Sequence, residues 1–415
     1  MSIVAGGTLA TTRRVIAPNV FATDTHNLMS FKQEAIVTFN GNQYFPYYDV
    51  SGNVMIAKRN LTTEILTIAD TGVNWSDDTD SHDDIVIGID TDGFIHISWG
   101  MHAESLRYIR SNNAEDITSF SSASMVGVNE DSVTYPKFFL ANNVLFFSYR
   151  NGGSSIGHQY LNKYDTVTKT WSALHHKFVN GGTWSAYSDN FTVGHDGKVH
   201  HTVMWRSSNT PTILNDYTYI YSTDNCQTWR KENGDVFTMP LHYDTNMPFI
   251  AGDLNGLVNQ QWNDVDGNSR PHVAYWKMAS NGHYNYFHIW YNGTSWTETQ
   301  LTFRTDTPTE IAMGIEKPIA RAGIICNRNT NTVYVFTRLE RGGYIFVYKS
   351  VYPYTDWTYH QLGNKRFGIT EFGIFDRGRF YSTGILDFIA IHNEKNPQPL
   401  YLLSTNLIDL QINKN

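Results

Sequence analysis

The stretch DGFIHISWG (residues 92–100) begins with a tight-turn signal and continues as an alternating strand of apolar and polar residues. An Asp-Gly pair followed by β-branched and aromatic residues is typical of the turn and second strand of a β-hairpin. Six other stretches share this pattern: NGNQYFPYYD (40–49), NNVLFFSYR (142–150), DGKVHHTVMWR (196–206), NSRPHVAYWK (268–277), NTVYVFTRLE (331–340) and RGRFYSTGILD (377–387). Repetition of one hairpin indicates an architecture built from similar β units.

A second marker supports the count of seven units. In most units the outer strand ends in a turn with a large aromatic residue: Trp75, Phe120, Trp171, Trp229, Trp296 and Trp357. The stretch STDNCQTW (222–229) differs from the Asp-box turn pattern S-x-D-x-G-x-T-W only by Cys226 at the glycine position. We predict an all-β, single-domain, seven-bladed β-propeller over residues 1–415, with about residues 1–25 and 398–415 as closing or peripheral segments. Two unrelated β-sandwiches are the alternative, since they also give regularly spaced short strands.

Composition fits this class and argues against several functions. Aromatic residues are 14% of the chain and charged residues 17%. The net charge of −8 argues against a generic binder of nucleic acid or of anionic membranes. Cys226 and Cys326 lack the spacing of a disulfide framework or a cysteine-rich zinc site. No signal peptide or membrane span is seen in the sequence, so extracellular action would need another route, such as a virion, and a cytoplasmic location is the alternative.

Hairpin geometry brings polar residues from distant positions together. Opposed residues of an antiparallel hairpin lie at equal distances from the turn. His82 and His102 flank the turn at Asp92 in this way, so we expect their imidazoles to lie side by side at the open end of one blade. The same construction pairs Tyr135 with Arg150, Tyr187 with Arg206, and Asn259 with Lys277.

Blades are related by rotation, so equivalent positions should lie on one face around the axis. These positions are Asp49, His102, Arg150, Arg206, Lys277, Arg338 and Asp387. Because four of the seven are Arg or Lys in a negatively charged chain, this face predicts an anionic ligand. Each residue also has a structural interpretation: a cross-strand contact for the histidines, packing for the tyrosines and ion pairs for the arginines. The carboxylates Asp77, Asp78, Asp80, Asp83 and Asp84 could bind Ca²⁺, but no EF-hand fits and a solvated loop is favoured.

Four stretches make the chain resemble the BNR-repeat propellers that include the ulvan lyases and related polysaccharide lyases. They are DSHDDIVIGIDTDGFIHISWGMH (80–102), TYPKFFLANNVLFFSYRNGGSS (134–155), SAYSDNFTVGHDGKVHHTVMWR (185–206) and LVNQQWNDVDGNSRPHVAYWK (257–277). The resemblance implies a seven-bladed propeller with a canyon in which β-elimination cleaves a 4-linked uronic acid. It further implies that His82, His102, Tyr187 and Arg206 are catalytic. A further tyrosine of the family's site would fall near Tyr243.

The chemistry of that reaction accounts for these residue types. The C5 proton of a uronate is weakly acidic while the adjacent carboxylate is charged, so a bidentate arginine such as Arg206 would neutralise it. His102 would be the base or its partner, with His82 orienting or assisting. Tyr187 would be the acid or a shared acid and base, with a pKa lowered by Arg206. Substrate-binding roles are expected for Tyr243, Arg150, Tyr135, Lys277 and Asn259.

Two other functions fit parts of the same pattern. A sialidase-like glycoside hydrolase would use a tyrosine nucleophile and an arginine cluster, and a non-catalytic glycan-binding propeller of a virion or cell surface would use the same aromatic and basic face. The expected partner is an anionic polysaccharide, without nucleic acid or membrane insertion. The elimination requires no cofactor, and the resemblance adds a structural metal ion, zinc or calcium, whose ligands are not assigned. The polysaccharide, the endo or exo mode and the oligomeric state stay open.

Overall fold

The computed structural model describes residues 2–22, 27–28, 31–75, 80, 82–154, 156–206, 216–244, 248–250, 260–305, 321–338, 344–363, 374–391 and 397–408. Within these residues the chain forms thirty β-strands in seven sheets and one short α-helix. This is the predicted seven-bladed propeller. In the part of the chain so described, no helix has the length and apolar character needed to cross a membrane.

The first four blades follow two N-terminal strands, β1 (Ser2–Leu9) and β2 (Thr12–Val20). Blade 1 contains β3 (Val37–Phe39), β4 (Asn42–Tyr48), β5 (Asn53–Asn60) and β6 (Leu66–Asn74). Blade 2 contains β7 (Ile85–Ile89) and β8 (Ile95–Trp99), and after β9 (His102–Glu104) it continues with β10 (Tyr108–Ser111) and β11 (Phe120–Ser122). Blade 3 contains β12 (Val133–Ala141), β13 (Val144–Asn151), β14 (His158–Asp165) and β15 (Thr170–Asn180). Blade 4 contains β16 (Ser185–Val193), β17 (Val199–Arg206) and β18 (Asp216–Ser222), and after β19 (Leu241–His242) it ends with β20 (Pro248–Ile250).

The remaining blades use the rest of the chain and the two N-terminal strands. Blade 5 contains β21 (Trp262–Val265), β22 (Pro271–Met278), β23 (Tyr284–Tyr291) and β24 (Trp296–Gln300). Blade 6 contains β25 (Gly323–Asn327), β26 (Thr332–Arg338), β27 (Ile345–Val351) and β28 (Asp356–Leu362). Helix α1 (Arg377–Thr383) precedes blade 7, which contains β29 (Ile385–Ala390) and β30 (Gln398–Asn406). β9 and β19 are exchanged strands, because they join the inner and outer edges of the blade 3 sheet.

The ring is closed by strands from opposite ends of the chain. β2 pairs antiparallel with β30 and forms the outer strand of blade 7. β1 pairs in parallel with β28 on the outer edge of blade 6. The outer edges of blades 6 and 7 are therefore both formed with strands from the N-terminal segment.

The seventh repeat differs from the predicted turn and strand. Residues 377–383 form α1, which begins after the N-cap Asp376 and ends at Gly384, whose φ of 72° suits glycine. The strand β29 starts only at Ile385, so Asp387 lies near the start of its strand, where it is fully buried and accepts hydrogen bonds from Arg379 and Gln43. Arg206, in contrast, lies at the end of β17. Asp387 therefore does not share the face predicted for the seven equivalent positions, because the helix displaces the strand.

The Asp-box stretch forms the turn expected from its sequence. The carboxylate of Asp224 accepts hydrogen bonds from the backbone N–H and the hydroxyl of Thr228 at 2.9 and 2.6 Å. Cys226 occupies the usual glycine position with a φ of 66°, a conformation that a residue with a Cβ adopts at a cost. The turn chemistry of the motif is therefore retained despite the substitution.

A segment near the N-terminus fills the centre of the ring. The amide of Gln33 exchanges two hydrogen bonds with the backbone of Phe191, at 2.7 and 2.8 Å. The backbone carbonyl of Glu34 accepts from the N–H of Ile87 at 3.0 Å. Since Ile87 and Phe191 belong to the innermost strands β7 and β16, residues 31–36 run through the central channel and contact blades on both sides.

Three blades share a buried histidine at the same position of the repeat. In each, the histidine stands four residues after the first residue of the quoted repeat and contacts a ring on the third strand. The pairs are His96 with Tyr108 at 2.6 Å, His200 with Tyr219 at 2.6 Å, and His272 with His288 at 2.9 Å. All three histidines are at most 2% exposed. They join the second and third strands of blades 2, 4 and 5, so their role is structural.

We expect the buried His200 to make the protein less stable in acid. Burial lowers the pKa of His200 to about 3, whereas an unfolded histidine has a pKa of about 6.5. Below about pH 6.5, His200 is protonated in the unfolded chain but stays neutral in the folded chain. The contribution of His200 to the free energy of unfolding is therefore complete above about pH 6.5 and is lost as pH falls. The free-energy advantage of the native protein over His200→Gln should therefore shrink by up to about 1.4 kcal/mol per pH unit in that range.

Urea unfolding of both proteins at about pH 7.5 and about pH 5 measures this difference. His176→Gln, at an exposed position on β15, is the control for removal of an imidazole. A difference between native protein and His200→Gln that is the same at both pH values would contradict the prediction.

Candidate active site

The two predicted histidines form a stacked pair. The ring centroids of His82 and His102 are 3.9 Å apart, with 17° between the ring planes. His82 lies just before β7, while His102 begins β9 and pairs with Thr134 of the next blade. The expected proximity of the imidazoles is therefore found, although β9 leaves the β7–β8 ladder to reach blade 3.

A carboxylate that the sequence analysis assigned to a solvated loop holds both rings. One carboxylate oxygen of Asp80 lies 2.7 Å from Nδ1 of His82, and the other lies 2.5 Å from Nδ1 of His102. The backbone N–H of His82 also donates to Asp80 at 2.9 Å. The spacing Asp-x-His, which allows a side chain to accept from the backbone two residues later, was the available signal.

The other carboxylates of this loop are not solvated either where they are described. Asp83 and Asp84 are at most 1% exposed. Burial raises the pKa of Asp84 to about 7 against the opposing attraction of Lys32. Asp77 and Asp78 lie outside the described residues. The favoured solvated-loop interpretation was therefore wrong for Asp83 and Asp84.

The electrostatics of the histidine pair depend on Asp80. Burial acts to raise the pKa of Asp80, but the hydrogen bonds from His102 and His82 outweigh burial and hold it well below its usual range. Burial lowers the pKa of His82 despite the hydrogen bond to Asp80, and the neighbouring His102 lowers it further. Near neutral pH, Asp80 is therefore ionised and at least one of the two imidazoles that it contacts is neutral.

Tyr135 and Arg150 meet through a β-bulge in the inner strand of blade 3. The register places Thr134, not Tyr135, opposite Arg150, and it shifts between Thr134 and Lys137. Tyr135 lies in this bulge with a φ of 56°, a strained value for a large side chain. The Arg150 guanidinium nevertheless lies 4.9 Å from the centroid of the Tyr135 ring. The predicted contact is present, but the predicted register is not.

Blade 4 shows the same combination of a shifted register and a retained contact. Arg206 is opposite Ser185, and Tyr187 is opposite Met204, because the register shifts farther along β16. The Arg206 guanidinium still lies 4.6 Å from the Tyr187 ring centroid. Ser154 joins the two, since its hydroxyl accepts from Arg206 at 2.5 Å and lies 3.5 Å from the Tyr187 hydroxyl. Ser154 was not predicted as a site residue.

Aromatic rings connect the histidine and arginine halves of the site. The Tyr135 ring lies 5.7 Å from that of His82 and 6.2 Å from that of Tyr187. Phe31, from the segment in the channel, packs 5.6 Å from His82 and 4.9 Å from Tyr135. One group of side chains, hereafter the site cluster, thus lies at one mouth of the channel: Asp80, His82, His102, Tyr135, Arg150, Tyr187 and Arg206.

Exposure differs between the two halves of the site cluster. The side chains of His82 and His102 are 29% and 36% exposed. Tyr187 and Arg206 are only 2% and 3% exposed. Burial also raises the pKa of Tyr135, although Arg150 opposes it. The imidazoles therefore face solvent, while the phenols and guanidiniums lie deeper.

Tyr243 occupies a separate position on blade 4. Its ring stacks on Trp184 at 4.1 Å and lies 5.5 Å from Trp205. Its hydroxyl donates a short hydrogen bond to the Asp216 carboxylate. Burial, followed by this hydrogen bond, raises the pKa of Tyr243 to about 12. Tyr243 follows β19, and Trp184 immediately precedes the strand that carries Tyr187.

The structure distributes the seven equivalent positions over different environments. Three of them belong to the site cluster: His102, Arg150 and Arg206. Lys277 forms an ion pair with Glu298 at 2.8 Å within blade 5, and Asp49 accepts backbone hydrogen bonds in the turn after β4. The backbone carbonyl of Arg338 accepts from Tyr286 at 3.1 Å. Asn259, the expected partner of Lys277, lies outside the described residues.

One group in the described part of the chain has metal-ligand chemistry. The ligand atoms of Asp80, His82 and His102 all lie within 4.8 Å of one another. Their N–O separations of 2.5 and 2.7 Å are hydrogen-bond distances, shorter than the roughly 3.3 Å between tetrahedral zinc ligands with bonds of about 2.0 Å. As arranged here, the three residues form a hydrogen-bonded group.

Solved structures of known proteins share this fold. The polysaccharide lyase Uly1 superposes with a TM-score of 0.70 at 18% identity, over 96% of this chain and 100% of that chain. A PL25 ulvan lyase bound to -[GlcA(1-4)Rha3S]- superposes with a TM-score of 0.74 at 13% identity, over 96% of this chain and 99% of that chain. At these identities the likeness establishes the propeller fold.

Sequence comparisons identify a relative and a family. The chain is 29% identical over 126 residues to the short isoform of ulvan lyase from Alteromonas sp. (strain LOR). The match covers 27% of this chain and 24% of the relative, so the chain spans about a quarter of the length of that curated protein. The model of the BNR repeat-containing family matches residues 42–304, which include the whole site cluster. The chain therefore belongs to the BNR repeat-containing family.

Proposed function

We propose that the protein is a polysaccharide lyase that cleaves an anionic, uronate-containing polysaccharide by β-elimination. The observation that carries this proposal is the convergence of two buried guanidiniums, two phenols and a carboxylate-bound imidazole pair in one site cluster. The similarity to an ulvan lyase and the fold shared with two polysaccharide lyases support it. An ulvan-like polymer is accordingly the proposed substrate.

The arginines provide the charge that elimination needs. Abstraction of the C5 proton places negative charge next to a carboxylate, which is favourable only when that carboxylate is neutralised. Arg206 is 3% exposed and its Nη2 bonds Ser154, so a uronate that replaces this hydroxyl gains a charge-assisted hydrogen bond in a poorly solvated site. Arg150, also 3% exposed, adds a second positive charge beside Tyr135.

The imidazoles and phenols divide the proton transfers. His102, the more exposed member of the pair, is proposed as the base, with His82 as its orienting partner. Tyr187 is proposed as the acid that protonates the leaving glycosidic oxygen, because its hydroxyl lies next to the Arg206 contact. Tyr135, whose pKa burial raises, stays protonated and serves as a hydrogen-bond donor to substrate.

Other predicted residues are proposed to bind the polymer beyond the reacting sugar. The stacked rings of Tyr243 and Trp184 offer an aromatic surface of the kind on which sugar rings pack. Lys277 and Asn259 are proposed contacts with anionic groups farther along the chain. Since a polymer of this kind is met outside cells, we propose extracellular action, in a virion or by another route, which detection of the protein in purified virions or culture medium tests.

Contacts of Tyr187 favour elimination over the sialidase-like alternative. A sialidase needs a tyrosine nucleophile paired with a carboxylate, whereas Tyr187 contacts Arg206, Arg150, Tyr135 and Ser154. Asp80 is engaged by the two histidines. A glycan-binding propeller would have no use for an imidazole pair held by an ionised carboxylate, so the lyase accounts for more of the site cluster.

Substitution of Arg206 should strongly slow elimination. Lyase action creates a conjugated C4=C5 double bond, so we expect ultraviolet absorbance to rise when the native protein is incubated with ulvan. Arg206→Ala should reduce that rate by about 10²–10³-fold, since removal of one electrostatic stabiliser typically has this effect. Arg13→Ala, on the outer strand of blade 7, is the control for loss of a positive charge. Chain shortening without absorbance would indicate a hydrolase, and binding without shortening a lectin-like function.

Substitutions of the proposed base and acid should both remove activity without unfolding the protein. We expect His102→Ala and Tyr187→Phe each to lower kcat by at least about 10²-fold, because each removes a group that transfers a proton. Circular dichroism and thermal unfolding check the fold, and His176→Ala is the control for the histidine variant. Full activity in either variant would remove that residue from the mechanism.

A further inference from the structure

We propose that Asp80 is a positioning residue that fixes both imidazoles in the Nδ1–H tautomer and thereby leaves both Nε2 atoms free to accept a proton. The consequence for catalysis rests on the proposed function, whereas the tautomers are a property of the ligand-free protein.

The hydrogen-bond geometry determines where the protons lie. An ionised carboxylate has only acceptor sites, so each imidazole nitrogen that contacts it must carry hydrogen. Each oxygen of Asp80 contacts one Nδ1, at 2.7 Å for His82 and 2.5 Å for His102. A neutral imidazole carries a single N–H, so Nε2 of each neutral ring has a lone pair. The backbone N–H of His82 anchors the carboxylate at 2.9 Å and limits its rotation.

Stacking makes a doubly charged pair of imidazoles unfavourable. The rings of His82 and His102 lie 3.9 Å apart and nearly parallel, so two imidazoliums would repel each other across this gap, and the single charge of Asp80 compensates only one. His82 lies between His102 and Phe31, which stacks 5.6 Å away at 19°. His102 therefore forms the outer face of the stack and is the ring that a substrate can reach, while His82 supports it from inside.

Two measurements on an Asp80→Asn variant test this role. The Asn side chain accepts from one Nδ1 but donates to the other, which forces the second ring to carry its proton on Nε2. Long-range ¹⁵N–¹H spectra of the native protein should show Nδ1–H for both rings, and the variant should show one ring changed. With ulvan as substrate, kcat should fall by about 10²–10⁴-fold, comparable to loss of an orienting carboxylate beside a catalytic histidine, and KM should change less than about threefold.

Asp92→Asn, an exposed acidic position in the turn of blade 2, should change neither the tautomers nor kcat. Native rings with Nε2–H, or native tautomers retained in Asp80→Asn, would overturn the proposal. So would stoichiometric zinc in the purified protein that is lost in Asp80→Asn, because the three residues would then be metal ligands. Nδ1–H signals in a protein that cleaves no polysaccharide would support the role of Asp80 and overturn only the proposed function.

Discussion

Antiparallel pairing between β2 and β30 is the constraint on which the remaining structure depends. The last blade is completed by a strand from the N-terminal segment of the chain. Farther along the chain, Gln33 and Glu34 bond to the inner strands β16 and β7. Phe31 then packs against His82 and Tyr135. Residues 31–34 therefore contact both the inner strands of the ring and the site cluster.

Irregularities in the strands, more than the regular ladders, shape the site. The bulge in β12 turns Tyr135 toward Arg150, and the shifted register of β16 leaves Tyr187 diagonal to Arg206. His102 lies on β9, which pairs with blade 3, and it still stacks on His82, just before β7 of blade 2. Each device interrupts the hydrogen-bond ladder only locally, so a regular scaffold can hold an irregular group of polar residues.

The sequence was sufficient for the fold because turn signals and alternating strands recur in the first six blades. It was also sufficient to bring His82 to His102 and Arg206 to Tyr187, since these contacts tolerate a shift of one or two positions. The register of the strand pairs in blades 3 and 4 could not be predicted, because a β-bulge cannot be recognised from the number of residues between a side chain and the turn. The role of Asp80 was not predicted, because a loop rich in acidic residues is usually exposed to solvent. The position of Asp387 was predicted wrongly, because the polar stretch before it forms a helix. Lys277 forms an ion pair with Glu298, a residue remote in sequence.

The filled channel has a consequence for how a long molecule can approach. Lys32 and Gln33 are at most 1% exposed, so among the described residues the protein's own backbone fills the axis of the ring at this point. A polymer bound at the proposed site would therefore lie across the entrance instead of passing along the axis.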